Sequence, residues 1–399
     1  MTPANLPLAD LRVLELGHII AGPSAGLLLA DLGADVIKIE KPAEGDQTRG
    51  MPAGNWANFH FFNRNKRSIA VDLKGSQEGR DLFLRLAKVS DVVIDNFAYG
   101  AVEGLGLGYE VLSKVNPRII YMALKGFLPG PAEARPFLDE LAQMAGGLAF
   151  MTGPRGKPMR AGASVVDLGA AAYGITAVLA ALHQRERTGV GQKITAGLYE
   201  TTVYWVGQWL ANHAATGEPS VPMPEMRQGT RMGWGIYQLF EASDGEQVFI
   251  GITSNAHWER FCKEFGLADL LADASLGDNA KRVAARNWLP PRIAVEMRRY
   301  SSAELAERLE RARIPFAPLR RPDQVLQDPH LNAANQLLDT PLPGHGVAKL
   351  PKMPVRSTAY EFELRRAAPG LGEHTREVLL ELGLTKDEID ALASRRVIG

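Results

Sequence analysis

Apolar and polar positions along the first 125 residues follow two alternating patterns. Residues 11–16 (LRVLEL) form a short apolar run, followed by Gly17, the loop HIIAGPSAG and the helix-like stretch SAGLLLADLG. That helix is expected to end at Gly33, in the position after the cap where glycine is favoured. Residues 35–39, 69–73, 91–97 and 118–124 supply four more strand-like runs, and 74–88 has helical spacing. Strands alternating with helices imply right-handed crossovers and a mostly parallel sheet covered on both faces.

From Leu141 to Leu210 the pattern is helical and rich in Ala and Gly, and TGEPSVPMPEM (216–226) then breaks the periodicity as a linker would. Two Val/Ile/Phe/Tyr-rich runs flank Ser243-Asp244-Gly245-Glu246, which predicts a hairpin. Ser301 with Glu304 reads as a capping box. Residues 322–355 are loop-rich, with prolines at 341, 343, 351 and 354. Two short helices close the chain, the first ended by Gly383 and the second capped by Thr385 and Glu388. The expected fold is α/β: a large Rossmann-like domain with a parallel sheet (1–215), a smaller α+β domain (225–325), and a return that completes the large domain (330–399).

Composition narrows the function classes. The 399 residues hold 45 basic and 45 acidic side chains, so the chain as a whole has no electrostatic footprint for nucleic acid or an anionic membrane. The start carries no secretory h-region, and no apolar run looks long enough to span a bilayer. A single cysteine, Cys262, excludes an internal disulfide and a Cys-cluster metal site. A cytoplasmic protein with no nucleic-acid or membrane partner is expected.

The strand–turn–helix–strand at the start, with Glu40 downstream, sketches half of a dinucleotide-binding unit. Its glycines fall at 17, 22 and 26, which is not G-x-G-x-x-G, so the fingerprint fails. G-x-S-x-G, the P-loop and H-E-x-x-H are also missing, and the eight histidines are scattered. Asp167 stands apart: a lone carboxylate between the small apolar stretches GASVV and LGAAAYG. Two readings of it stay open on these grounds: the cap of a helix starting at Leu168, or a nucleophile ionised near its ordinary pKa of about 4 in a water-poor setting.

An ordered set of segments resembles the family III CoA-transferases (the CaiB/BaiF family), which include carnitine CoA-transferase, formyl-CoA transferase and α-methylacyl-CoA racemase. The matching pieces are AGPSAGLLLADLGADVIKIEKPAEGDQTR, NRNKRSIAVDLK, DVVIDNF, NPRIIYMALKGF, GASVVDLGAA, RTGVGQ and LGEHT. The resemblance implies a Rossmann-like fold, two chains threaded as an interlocked homodimer, and a nucleophilic aspartate at Asp167. It implies coenzyme A or acyl-CoA as a substrate, with no tightly bound cofactor; the scattered histidines and single cysteine give no reason to expect a metal. The CoA contacts that it implies fall on Ala21, Lys41, Val71, Asp72, Leu73, Lys74, Asn96, Phe97 and Ala98, whereas an arginine of formyl-CoA transferase is replaced by Gly104. Arg64, Lys66 and Arg67 form a basic turn that either lies solvated at the surface or helps to meet the phosphates.

The racemase branch carries a histidine where this chain has Leu138. Leucine cannot move a proton, so a two-base racemase lacks one base and a transferase is favoured. Asp139 is an auxiliary carboxylate or the N-cap of the helix that follows it. The resemblance is strongest to enzymes that exchange succinyl-CoA with C4 or C5 dicarboxylates such as malate, citramalate or itaconate. The expected function is therefore CoA transfer from an acyl-CoA to a short carboxylic acid through mixed anhydrides and an aspartyl-CoA thioester. The alternatives are an α-methylacyl-CoA racemase and a non-catalytic CoA-binding homologue. A second substrate carboxylate wants an arginine fork, for which Arg135, Arg160, Arg227 and Arg231 are the candidates. Arg227 and Arg231 lie in RQGTRMGWG (227–235), which reads as a mobile lid or as an ordinary interdomain loop.

Overall fold

The computed structural model describes residues 6–52, 54–228 and 233–399. The chain divides into two compact units: Met1–Leu148 with Arg160–Leu210 and His330–Gly399, and Ala149–Met159 with Ala211–Pro329. The first unit is built on six parallel strands, β1 (Arg12–Leu16), β2 (Asp35–Glu40), β3 (Arg67–Ala70), β4 (Val92–Asp95), β5 (Ile120–Lys125) and β6 (Lys193–Gly197). Their order is β3-β2-β1-β4-β5-β6, so the chain reverses direction across the sheet between β1 and β4. Strand β6 lies inside the stretch expected to be helical. It is an edge strand of mixed burial, so it lacks the continuous apolar run that betrays the inner strands.

The apolar strands are buried on both faces. Leu14, Leu16, Ile37, Ile39 and Val93 point to one core, whereas Val13, Val36, Val92, Ile94 and Met122 point to the other. Helix α1 (Ala21–Asp31) covers the second face and ends as expected, with Gly33 at φ +113°. Helix α2 (Gln77–Lys88) puts Leu82, Phe83 and Leu86 on the first face. Helix α3 (Asp139–Ala145) leads towards the long α4 (Val165–Thr188). Burying each of these Leu, Ile, Val or Phe side chains is worth about 1.5–3 kcal/mol against exposure.

Helix α4 corrects one expectation, because it is long and apolar enough to cross a membrane by length and composition. It behaves as a core helix along one side only: Val166, Ala170, Gly174, Ile175 and Val178 are buried, several of them against the sheet. The other side leaves Leu168, Tyr173 and Leu179 about 40% exposed.

The second unit contains the expected hairpin, β7 (Tyr237–Glu241) and β8 (Gln247–Gly251), with Gly245 at φ +78° in the turn and β9 (Phe316–Pro318) on the far edge. Helix α5 (Asn255–Glu264) buries Trp258, Phe261 and Cys262 in its core, and α6 (Ser302–Arg311) starts at the Ser301–Glu304 capping box. A short helix, Met223–Gln228, begins inside the stretch read as linker; Pro224 falls in its first turn, where a missing N–H costs nothing.

The return is more regular than its prolines suggested. Strands β10 (Leu337–Leu342) and β11 (Gly346–Pro351) form a two-stranded ribbon that includes Pro341. Both strands of such a ribbon have a free edge, so a proline without an N–H is tolerated there. Helices α7 (Thr375–Glu381) and α8 (Lys386–Ser394) then cover the first face of the sheet with Val378, Leu379, Ile389 and Leu392. Asp72 donates its backbone N–H to Val397, so the chain end closes on the end of β3.

Candidate active site

At the reversal point the turn from β1 into α1 is held tightly. The Asn96 side chain accepts the backbone N–H of His18 (2.9 Å) and donates to the His18 carbonyl (3.0 Å), which clips the end of β4 to the end of β1. Ile19 is forced to φ +66°, a costly conformation for a β-branched residue. Gly22 is required here, since a Cβ would stand 2.8 Å from both Asn96 Oδ1 and the Cα of Gly17. The His18 ring packs 5.4 Å from Phe97, and burial pulls its pKa down. Crevices at such reversal points hold ligands in doubly wound sheets.

All nine positions implied as CoA contacts follow the carboxyl ends of β1 to β4. Their side chains are not equally free. Val71 and Leu73 are buried in the core, and Asp72 accepts the N–H groups of Lys74 and Gly75. Asn96 spends its amide on His18, while Lys41 pairs with Glu44 at 2.5 Å and Lys74 is exposed. Ala21 opens α1 with its side chain buried, Ala98 is exposed, and Gly104 ends a short helix with open space around it.

The basic turn is a correction. Arg64, Lys66 and Arg67 are buried and neutralised inside the protein. Arg64 pairs with Asp31 (2.6 Å), Lys66 with Glu15 (2.6 Å), and Arg67 with Asp35, Glu377 and Glu381. Glu15 also pairs with buried Lys38 (3.0 Å), which reaches Asp46 (2.8 Å). Neither a solvated surface turn nor a phosphate site describes these three cations; Lys66 balances Glu15 beneath the β1–α1 turn, while Arg64 and Arg67 balance carboxylates at the end of α1, the start of β2 and the C-terminal helix Thr375–Glu381. Glu40 is committed likewise, to Arg49 (2.7 Å) and the Ser68 hydroxyl (2.5 Å), so it is not free to bind a ribose.

Asp167 sits in the first turn of α4, which starts three residues earlier than expected, at Val165. It does not cap the helix. That role belongs to Asp139, whose Oδ2 accepts the N–H groups of Val166 (2.8 Å) and Asp167 (3.1 Å). Asp139 likewise does not cap its own helix, α3, which has Leu138 at that position. Leu168 donates to Ser164 and Val165 to Ala163, so the first four N–H groups of α4 are all used. No hydrogen bond to the Asp167 carboxylate is found among the described residues, so nothing drains its basicity. Burial, and next the charge of Asp139, push its pKa up to about 7, against a smaller opposing pull from Arg160. The sequence expectation of an aspartate with an ordinary pKa is corrected: burial and the Asp139 charge hold this carboxyl well above the usual carboxylate range.

Arg160 stands beside this pair, 3.8 Å from Asp139 and 3.4 Å from Glu140. Arg135 is exposed, with its guanidinium 5.9 Å from the Phe137 ring. Arg231 and the Arg227 side chain lie outside the described residues. Of the nine-residue loop that carries them, Gly233–Gly235 is held by Asn279 and Arg286, the latter donating to the Trp234 carbonyl at 2.6 Å. Sequence reasoning missed Gln143, a buried amide that links Asp139 to Ala161. The signal was present in the i, i+4 spacing of Asp139 and Gln143 on one helix.

A family model described as CoA-transferase family III matches residues 8–375. The chain belongs to this family. As a family III CoA-transferase it is 35% identical over 394 residues to the succinyl-CoA:mesaconate CoA-transferase of Haloarcula hispanica, covering 94% of this chain and 96% of that protein. It is 31% identical to the succinyl-CoA–D-citramalate CoA-transferase of Chloroflexus aurantiacus, covering 98% of each. Its fold matches a CaiB/BaiF family protein from Brucella suis with a TM-score of 0.84 at 32% identity, covering 95% of this chain and 100% of that one. A family III CoA-transferase uses CoA thioesters as substrates.

Proposed function

We propose that this CoA-transferase moves CoA from succinyl-CoA to a C4 or C5 dicarboxylate, with Asp167 as the nucleophile. The observation that carries the reading is the Asp167 carboxylate itself: partly buried, without a hydrogen-bond donor among the described residues, and raised in basicity by burial and by Asp139. A carboxylate with a raised pKa is the stronger nucleophile once ionised.

The chemistry balances in four steps. Ionised Asp167 attacks the thioester carbonyl, forming a mixed anhydride and releasing the CoA thiolate. The thiolate attacks the aspartyl carbonyl and expels the donor acid as a carboxylate, leaving an aspartyl-CoA thioester. The acceptor carboxylate attacks that thioester, giving a second mixed anhydride and thiolate. The thiolate then attacks the acceptor's acyl carbon, yielding the new acyl-CoA and free Asp167. Both anhydrides must be kept from water, which the small apolar flanks of Asp167 favour.

CoA is assigned to the carboxyl ends of β1 to β4, with Asn96 shaping the turn that it meets. Arg160 is our candidate for the acceptor's second carboxylate, because its long contacts with Asp139 (3.8 Å) and Glu140 (3.4 Å) leave it part-exposed within electrostatic reach of Asp167. Leu138 argues against racemisation, since it offers no group to exchange a proton. The exposed apolar side of α4 supports a homodimer in which a second chain covers Leu168, Tyr173 and Leu179.

The test is an acceptor screen with succinyl-CoA, with new thioesters identified by mass spectrometry. Formation of mesaconyl-, citramalyl- or malyl-CoA supports the reading. Hydroxylamine added with acyl-CoA should convert Asp167 to its hydroxamate and inactivate the enzyme. Wild-type turnover by Asp167→Ala would sink the nucleophile assignment.

A further inference from the structure

Gln143 lies in the middle of α3 with none of its surface exposed. Its Nε2 donates to Asp139 Oδ1 at 2.6 Å, and its Oε1 accepts the N–H of Ala161 at 2.8 Å. The other oxygen of Asp139 takes the N–H groups of Val166 and Asp167. One amide therefore joins the cap of α4 to the segment that feeds α4. Only the amide fits both ends: a glutamate would set two carboxylates face to face, and an apolar side chain would orphan a buried N–H and an acid oxygen.

We propose that Gln143 is a positioning residue for acyl transfer: by fixing the Asp139 carboxylate it sets both where Asp167 stands and how close a negative charge is held to it. The inference rests on the reading of Asp167 as nucleophile. Gln143 touches no substrate, and its influence passes through Asp139. If the amide is lost, Asp139 Oδ1 is left to Arg160, 3.8 Å away, a cation that also acts on Asp167; drawn towards it, the Asp139 carboxylate repels Asp167 less. The nucleophile then ionises at lower pH while losing its alignment with the thioester carbonyl.

The experiment uses the full-length enzyme. Single-turnover formation of the aspartyl-CoA thioester from succinyl-CoA is followed between pH 5.5 and 8.5 for wild type, Gln143→Met, Asp139→Asn and the double variant. The expected rate loss for Gln143→Met at saturating donor is on the order of 10- to 100-fold, the scale of a small misplacement of a reacting group. KM for succinyl-CoA should stay within about twofold, because ground-state binding is untouched. The acid limb of the profile should move down by about half a pH unit or more as repulsion is relieved. In the Asp139→Asn background the same substitution should no longer move that limb.

An unmoved acid limb in Gln143→Met, or a shift that persists in full without the Asp139 charge, overturns the proposal. Should Gln143→Met fail to fold, Gln143→Asn takes its place, since it keeps the amide but is one methylene too short to bridge Asp139 and Ala161. Peptide mapping of the hydroxylamine adduct separates the two claims. An adduct on a residue other than Asp167 refutes the nucleophile, whereas an adduct on Asp167 with an unchanged pH profile refutes only the role of Gln143.

Discussion

Asp139 accepts the backbone N–H of Asp167 at 3.1 Å, so one acid caps the helix on which the other stands. The two carboxylates thus have opposite surroundings. Asp139 is met by Gln143 and two backbone donors, while for Asp167 burial and a neighbouring negative charge outweigh the pull of Arg160. Environments that differ in this way are how one site gives two acids different tasks.

The first prediction concerns pH and stability together. The pKa of Asp167 is pushed up to about 7 in the folded chain, above the ordinary aspartate value, so the folded state binds its proton more tightly than the unfolded one. Its contribution to stability is present below pH 4 and is lost as pH rises through 7. Asp167→Asn should therefore abolish turnover yet raise the melting temperature at pH 8, by the equivalent of about 1–3 kcal/mol after discounting for partial exposure. At pH 4 the two proteins should melt together, and equal melting at pH 8 would contradict the raised pKa.

Removing the cap should cost stability without touching the sheet. Asp139→Ala deletes the acceptor for two α4 N–H groups, a loss of about 1 kcal/mol. It also orphans one end of the buried Gln143 amide, for a further 1–3 kcal/mol or so. Urea unfolding should show a lower midpoint with an unchanged slope.

The buried ion cluster makes an asymmetric prediction. Glu15 faces two buried ammonium groups, Lys38 and Lys66, whereas Lys38 also has Asp46. Glu15→Ala leaves Lys66 without a carboxylate in ion-pair contact among the described residues, a penalty of about 3–5 kcal/mol, and should yield little folded protein. Lys66→Met leaves Glu15 paired with Lys38 and should be milder, as compared by soluble yield and urea midpoint.

Asn96→Ala should release the clip on His18 and let the strained Ile19 turn relax. If CoA meets this turn, KM for acyl-CoA rises by about tenfold or more while kcat changes less. A selective fall in kcat would place Asn96 with the chemistry instead.

Much of the fold was legible in the chain because its signals are local. Short apolar runs marked five of the six parallel strands, Gly33 marked the end of α1, and two Ser/Thr–Glu pairs marked helix starts. Strand β6 escaped because an edge strand of mixed burial carries no continuous apolar run. The β10–β11 ribbon escaped because prolines at free strand edges look like loop.

The site divided along the same line. Sequence pattern and family resemblance singled out Asp167, Asp139 and the strand ends, since residue type and order are written in the chain. Which charges are available was decided only by packing: folding turned Arg64, Lys66 and Arg67 inward onto Asp31, Glu15 and Asp35. Packing also gave the capping of α4 to an acid 28 residues away and left Asp167 without a partner of its own among the described residues. Desolvation and the proximity of a like charge are properties of the folded interior, and they turn an ordinary aspartate into one that titrates near neutrality.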